Sequence, residues 1–245
     1  MKPLVRNASL SNYVELSQSL GIDPRALLKQ AGLDPVGLAS QDRWVSGDAV
    51  TRLLEHSAAA AGREDFGLLL AERRRFANLG PISLVLREEP DVRSALALLV
   101  RHERMYNEML RGRLTEAGGL ATVRIALELG AFHEARQALE LAVGTLIGFL
   151  RAFLGPRWQP FSVCFTHAAP RDAATHRRLL GPVVEFDRDF TGVVLYAAEL
   201  DTPNKLADPQ LRDYARQYLA SLDTTTDSTE LDRVRELIEA LLPTG

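Results

Sequence analysis

Residues 159–186 constrain the fold of this chain more than any other stretch. Three large apolar side chains, Phe161, Val163 and Phe165, alternate with smaller or more polar residues. This period of two predicts a strand with one apolar face. Gly181-Pro182 then ends a short helix, because neither residue readily continues one. The predicted elements are a strand at 158–166, a helix at 171–179, and further strands at 183–186 and 192–198.

A β-hairpin is predicted around Gly118-Gly119, since such a dipeptide favours a two-residue turn. The register of this hairpin puts Arg113 opposite Arg124, and like charges placed directly opposite repel each other. Either the turn differs, or both arginines reach solvent, or an acidic group lies between them; we favour solvent. The strands at 107–116 and 120–129 would pair Leu114 with Val123 and Leu110 with Leu127, which creates one apolar face.

Most remaining segments have the three-to-four-residue apolar spacing of helices. Two of them, on either side of Gly21, imitate a helix-turn-helix. A helix that reads DNA needs basic or amide side chains, and few are present, so a helical hairpin that packs its leucines is favoured. Trp44 is expected in a loop. Helices are predicted at 10–20, 24–31, 46–61, 65–75, 80–87, 92–105, 132–154 and 208–222.

Three consecutive arginines at 73–75 allow two interpretations. They could form a phosphate-binding patch. More often such a run is the solvated end of a helix, where the helix dipole favours cations, and we favour that interpretation.

Composition limits the classes of protein that the chain can belong to. The single cysteine, Cys164, excludes an internal disulfide and indicates a reducing compartment, for which we expect the cytoplasm. A net charge of −3 argues against strong DNA binding by this chain alone. No continuous apolar run approaches about 18 residues, so no membrane contact is expected. The amino-terminal residues lack the apolar core of a secretion signal.

One ordered set of short motifs resembles a known family. The set resembles the effector-binding domain of AraC-type (AraC/XylS) transcription regulators, in the arabinose-binding-domain-like group. Residues 79–107 also match that group, with a glycine, a short helix, and then a helix with a basic residue before an aromatic one. The motifs are Pro160-Phe161, Leu180 to Val183, Phe186, the strand at 193–196, and Leu200-Asp201-Thr202-Pro203.

This resemblance implies an α+β fold, in which an N-terminal helical segment precedes an antiparallel sheet, a hairpin plus three strands, covered by a long helix. The effector-binding and dimerisation domain would span 1–222, with a helical part at 1–106 and an α+β part at 107–222. A linker at 223–229 would lead to a helix at 230–245 that opens a C-terminal helix-turn-helix domain. That domain is missing from this chain, which would be a truncated regulator or a stand-alone sensor; we favour truncation.

The implied activity is the sensing of a small-molecule effector between the N-terminal helices and the sheet. DNA would be bound only through the missing domain, and a homodimer is possible. Because a site should be mostly apolar with a few polar anchors, five residues are candidate ligand contacts. These residues are Arg101, His102, Tyr106, Phe161 and Phe165.

Signatures of catalysis are weak in this sequence. It contains no nucleophile elbow, P-loop, zinc-protease helix or dinucleotide-binding glycine motif. The five histidines have no cysteine companion at metal-binding spacing. We therefore predict no catalytic residue, no metal site and no cofactor. The alternative is a small α+β hydrolase or isomerase that uses His102 or His167 as its base.

Overall fold

Capping side chains define where several helices of the N-terminal half begin. Asp23 Oδ1 accepts a hydrogen bond from the Arg25 amide at 2.9 Å, and Asp91 Oδ1 accepts one from the Ser94 amide at 2.7 Å. The computed structural model describes residues 3–128 and 135–225. Its helices are α1 (Tyr13–Ser19), α2 (Pro24–Ala31), α3 (Gly47–Ala61), α4 (Phe66–Glu72), α5 (Ile82–Arg87), α6 (Val92–Arg101), α7 (Arg136–Leu154), α8 (Ala174–Leu180) and α9 (Pro209–Thr225).

Five strands form the main sheet, in the order β3-β4-β7-β5-β6. Most neighbours are antiparallel, as predicted, but β5 and β6 are parallel, which the prediction of an antiparallel sheet did not include. The physical reason is that α8 connects β5 to β6, and a helical crossover returns the chain in the same direction. The strands are β3 (Leu110–Ala117), β4 (Leu120–Leu127), β5 (Ser162–Cys164), β6 (Val184–Glu185) and β7 (Thr191–Tyr196).

A separate pair of short strands was not predicted. β1 (Leu4–Arg6) pairs antiparallel with β2 (Trp44–Ser46), so Trp44 belongs to a strand and not to a loop. Three residues are too few to display an alternating pattern, and only the pairing with a distant segment defines such a strand.

The predicted hairpin register is confirmed. Leu114 lies opposite Val123 and Leu110 opposite Leu127, and both turn glycines have positive φ angles of 59° and 80°. Arg113 and Arg124 do face each other across the strands, and both are exposed, as the favoured interpretation required. The Arg124 guanidinium carbon also lies 4.8 Å from the centre of the Phe190 ring.

The β5 strand is more buried than an alternating pattern predicts. Val163 and Phe165 are fully buried, and Ser162 and Cys164 on the other face are also buried, at 5% and 4% exposure. Phe161 precedes the strand and is 47% exposed, with its ring against Tyr196. Both faces of β5 are therefore covered, which sequence periodicity alone did not indicate.

Two hydrophobic cores share the long helix α7. One core lies between α7 and the sheet and includes Leu146 and Leu150, while the other fills the N-terminal helical layer and includes Leu141. By length and composition α7 could also cross a membrane, but here it is a core helix. It begins at Arg136, and residues 132–134 of the predicted helix lie outside the described part of the chain.

The helical hairpin around Gly21 packs its leucines inward, as predicted. Leu16 of α1 and Leu28 of α2 are buried in the N-terminal core. This placement supports a packing role for the two helices.

The last described helix, α9, runs three residues into the segment predicted as a linker at 223–229. Arg216 of α9 forms two-pronged hydrogen bonds with the buried carboxylate of Glu89, at 3.0 Å to each oxygen. The rest of that linker and the helix predicted at 230–245 lie outside the described residues.

Candidate functional site

A cavity of about 140 Å³ lies where the two hydrophobic cores meet. Its walls come from β1, α3, α6, α7 and the first two strands of the sheet. A mostly apolar cavity between layers is a common form of small-molecule site. The apolar lining includes Val5, Val50, Leu54, Leu79, Leu96, Leu99, Met109, Leu110, Val123, Ile125, Leu127, Leu141, Ala142, Leu146 and Phe149.

Most polar side chains in the lining are already hydrogen-bonded within the protein. Thr51 and Thr145 each donate to the carbonyl oxygen four residues earlier, at 3.0 and 2.7 Å. Asn107 Oδ1 accepts the backbone amides of residues 109 and 110. Glu103 accepts the Gly112 amide at 2.7 Å and lies 3.5 Å from Arg111. These groups form part of the cavity wall, and their hydrogen bonds are made within the protein.

Two arginines place positive charge at the cavity. Arg6 donates to the Leu79 carbonyl at 3.2 Å and is paired with the carboxylate of Asp42. Arg74 Nη1 donates to the Ser9 carbonyl at 2.7 Å. Burial, and then the charge of Arg6, lower the pKa of Arg74 to about 10. The Arg74 guanidinium is thus a desolvated cation on the cavity wall.

Two buried polar atoms on this wall have no hydrogen-bond partner among the described residues. They are Arg74 Nε and the Ser9 hydroxyl oxygen. Both residues line the cavity, and both can donate a hydrogen bond. An acceptor inside the cavity would satisfy them together.

Tyr106 lies in the lining, and its hydroxyl donates to the Leu99 carbonyl at 3.2 Å. Burial, followed by the nearby charge of Glu103, raises the pKa of this phenol. The side chain is therefore a neutral wall residue at physiological pH.

The five predicted ligand contacts do not form one site, because only Tyr106 lines the cavity. Phe165 is buried in the sheet core, and Phe161 is on the surface. Arg101 is exposed at the end of α6, and His102 follows it with Nδ1 3.0 Å from the Leu98 carbonyl. The pattern of basic residues before an aromatic residue thus led to one residue of the cavity wall, Tyr106. The alternating apolar pattern led to the sheet core instead.

Sequence reasoning missed Arg74. The interpretation of residues 73–75 as a solvated helix end holds for Arg73 and Arg75, which are exposed, but it is wrong for Arg74. The helix ends at Glu72, so the three side chains no longer follow helical spacing and the middle one turns inward. Nothing in the run of arginines itself distinguishes that residue.

A second polar cluster surrounds Glu140, whose side chain is completely buried. One of its oxygens lies 2.9 Å from His176 Nε2, 3.1 Å from Arg136 Nε and 3.5 Å from His167 Nε2. The His167 ring also lies against Phe165, with 4.8 Å between ring centres. Because solvent does not reach Glu140 or His176, this arrangement favours a structural role over the alternative of a His167 base.

The stability of the fold should depend on pH through His167. Burial lowers the pKa of His167 below its ordinary value of 6.5. The unfolded chain then binds a proton at a higher pH than the folded protein, so stability is full above about pH 6.5 and falls as pH drops below it. We expect urea denaturation to show a steeper loss between about pH 7 and pH 5 in the wild type than in His167→Phe.

The difference in unfolding free energy between the two proteins should be constant above about pH 7, where His167 is neutral in both states. A difference that stays constant over the whole range would contradict the assignment to His167.

Comparison with known proteins agrees with this architecture. Residues 21–204 match the family model described as the arabinose-binding domain of AraC transcription regulator, N-terminal. The HTH-type transcriptional regulator VirS of two Mycobacterium tuberculosis strains, CDC 1551/Oshkosh and ATCC 25618/H37Rv, is 29% identical over 244 residues, which cover 99% of this chain and 72% of VirS.

A solved structure also resembles the fold. The transcriptional regulator CdpR from Pseudomonas aeruginosa superposes with a TM-score of 0.59 at 16% identity, over 89% of this chain and 69% of CdpR. At that identity the similarity concerns the fold alone. The family match, by contrast, covers most of the chain, and it includes most of the helical layer, the sheet and most of the cavity wall between them. The chain therefore belongs to the arabinose-binding domain family found at the N-terminus of AraC transcription regulators.

Proposed function

We propose that this chain is the ligand-sensing part of an AraC-type regulator, which binds a small-molecule effector and controls transcription through a C-terminal helix-turn-helix domain. The observation that carries the proposal is the apolar cavity between the N-terminal helices and the sheet. Its few polar groups could fix the orientation of a ligand. The chain senses and does not catalyse, and it needs no cofactor to do so.

DNA would be bound by a further domain of the regulator. The net charge of −3 makes this part a poor match for phosphates, and the relative VirS is named an HTH-type regulator of which this chain covers 72%. Its place of action is then the cytoplasm, where DNA and metabolites are both present. In a possible homodimer, the exposed side of α9, with Leu211, Tyr214 and Tyr218, is available for a second copy.

A continuous path connects the cavity to α9. Asn78 and Leu79 line the cavity, and α5 follows them directly in the chain. Just after α5, Glu88 accepts the Asp208 amide at 2.8 Å, and Glu89 binds Arg216 of α9. An effector that binds more tightly to one arrangement of this wall would favour that arrangement, and α9 would shift with it. The difference in affinity between the two arrangements sets their relative populations.

A thermal-shift screen of this chain against small metabolites tests the sensor function. An effector at a hundred times its dissociation constant should stabilise the protein by about 2.7 kcal/mol, which raises the melting temperature by several degrees. Hydrogen exchange should then slow around residues 74–79 and change along α9. A compound that is bound but not consumed supports a sensor, whereas a compound that is turned over favours the alternative enzyme.

A matched pair of variants locates the binding site. Ala142 lines the cavity, while Ala152 is exposed on the same helix. Ala142→Phe should fill the cavity and abolish the shift, and Ala152→Phe should preserve it. An effector that stabilises both variants equally binds somewhere else.

A further inference from the structure

The two arginines of the cavity lining, Arg6 and Arg74, differ in their partners. Arg6 is paired with the carboxylate of Asp42. Within residues 3–128 and 135–225, no carboxylate forms an ion pair with Arg74. Its one hydrogen bond there is the bond to the Ser9 carbonyl.

An unpaired guanidinium in an apolar wall is costly, because desolvation removes its water without replacing the lost interactions. Proteins keep such groups where something else supplies the missing charge. Because the residue faces a cavity, the compensating group can come from a ligand.

The edge of Arg74 that remains free has the geometry of a carboxylate site. Nη1 is used by Ser9. This leaves Nη2 together with Nε, which is buried and has no partner among the described residues, and these two nitrogens form the side-on fork of a guanidinium. Such a fork binds both oxygens of a carboxylate through two parallel hydrogen bonds. The unpartnered hydroxyl of Ser9 can donate a third bond to the same group.

We propose that the effector is a carboxylate with an apolar body, held by Arg74 through Nε and Nη2 while the body fills the cavity. This inference rests on the proposed sensor function and adds the chemical class of the ligand. Arg6 is a less suitable anchor, because Asp42 and the Leu79 carbonyl already occupy its guanidinium. Tyr106 is likewise committed to the Leu99 carbonyl.

The test compares ligands that differ only in their head group. Hexanoate, octanoate, benzoate and 3-phenylpropanoate are each titrated into the 245-residue chain by calorimetry, together with the alcohol and the amine of the same skeleton. At least one carboxylate should bind with a stoichiometry of one. It should bind at least about tenfold more tightly than its alcohol or amine, because charge-assisted bonds are about twice as strong as neutral ones.

Two variants with the same change of charge then assign the anchor. Arg74→Gln should lower the affinity for the carboxylate by at least about tenfold, since one partner of a buried charged pair is lost. Arg75→Gln removes an exposed arginine next to it and should leave affinity unchanged. Arg74→Lys, which keeps the charge but loses the fork, should fall between wild type and Arg74→Gln. Melting curves without ligand confirm that each variant is folded.

Three results would overturn the inference. They are equal affinity for a carboxylate and its alcohol, equal affinity in Arg74→Gln and Arg75→Gln, and no binding by any carboxylate of the panel. If an alcohol or amine binds in the cavity instead, the anionic effector is refuted while the sensor function stands. If the metabolite screen and the panel both find no ligand, the sensor function fails with it.

Discussion

Glu140→Ala should destabilise the protein by about 3–5 kcal/mol, the largest effect that we expect from a single polar substitution. The carboxylate is fully buried and contacts Arg136 at 3.1 Å and His176 at 2.9 Å. Without it, the His176 imidazole would lose its partner between the Phe165 and Phe186 rings, and Arg136 would keep only Glu64, 3.7 Å away. Urea denaturation at about pH 7 measures the loss of unfolding free energy.

An exposed pair provides the control. Glu185 lies 3.0 Å from Arg188, with both side chains open to solvent, so Glu185→Ala should cost less than about 1 kcal/mol. Glu140→Gln should be milder than Glu140→Ala, because an amide oxygen can still accept a hydrogen bond from His176. If the two alanine variants lose the same stability, the cluster around Glu140 does not hold the layers together.

Gly67→Ala should destabilise the protein by about 2–3 kcal/mol, because there is no room for a methyl group between α4 and α7. A Cβ atom at Gly67 would lie 2.1 Å from the carbonyl oxygen of Gln137, which belongs to the backbone and cannot turn away. The Gly67 backbone is also held in place by a hydrogen bond, because its amide donates to Gln137 Oε1 at 2.8 Å. Thermal and urea unfolding both report this change.

The same helix pair offers a control with the opposite sign. Gly148 is exposed within α7, and a Cβ atom there would meet nothing within 4 Å. Gly148→Ala should therefore stabilise the protein by about 0.5–1 kcal/mol, because alanine loses less backbone freedom in a helix. A Gly67→Ala variant as stable as the wild type would show that α4 can move away from α7.

The close contact at Gly67 also bears on the cavity. It fixes α4 against α7, and Arg74 follows α4 by two residues. The position of the Arg74 guanidinium thus depends on how closely these two helices pack. Ligand affinity should therefore be measured together with stability for any substitution at this contact.

Features that depend on neighbours in sequence were predictable. The turn glycines and the alternating residues determine the register of β3 and β4, and Asp23 and Asp91 mark the starts of α2 and α6. The hairpin could be assigned because its two strands lie next to each other in the chain. The assignment of the family followed from motifs that keep their order along the sequence.

Features that depend on distant contacts were decided only by the tertiary structure. The cavity collects side chains from Val5 to Phe149, so no local pattern marks it. Arg74 has the same type of neighbours as Arg73 and Arg75, yet it alone faces this cavity, because α4 ends at Glu72 and the chain turns there. The sequence alone thus determined most of the elements and the family. The location of the site and of its charged group depended on how segments far apart in the chain pack together. Periodicity and local propensity do not encode that packing.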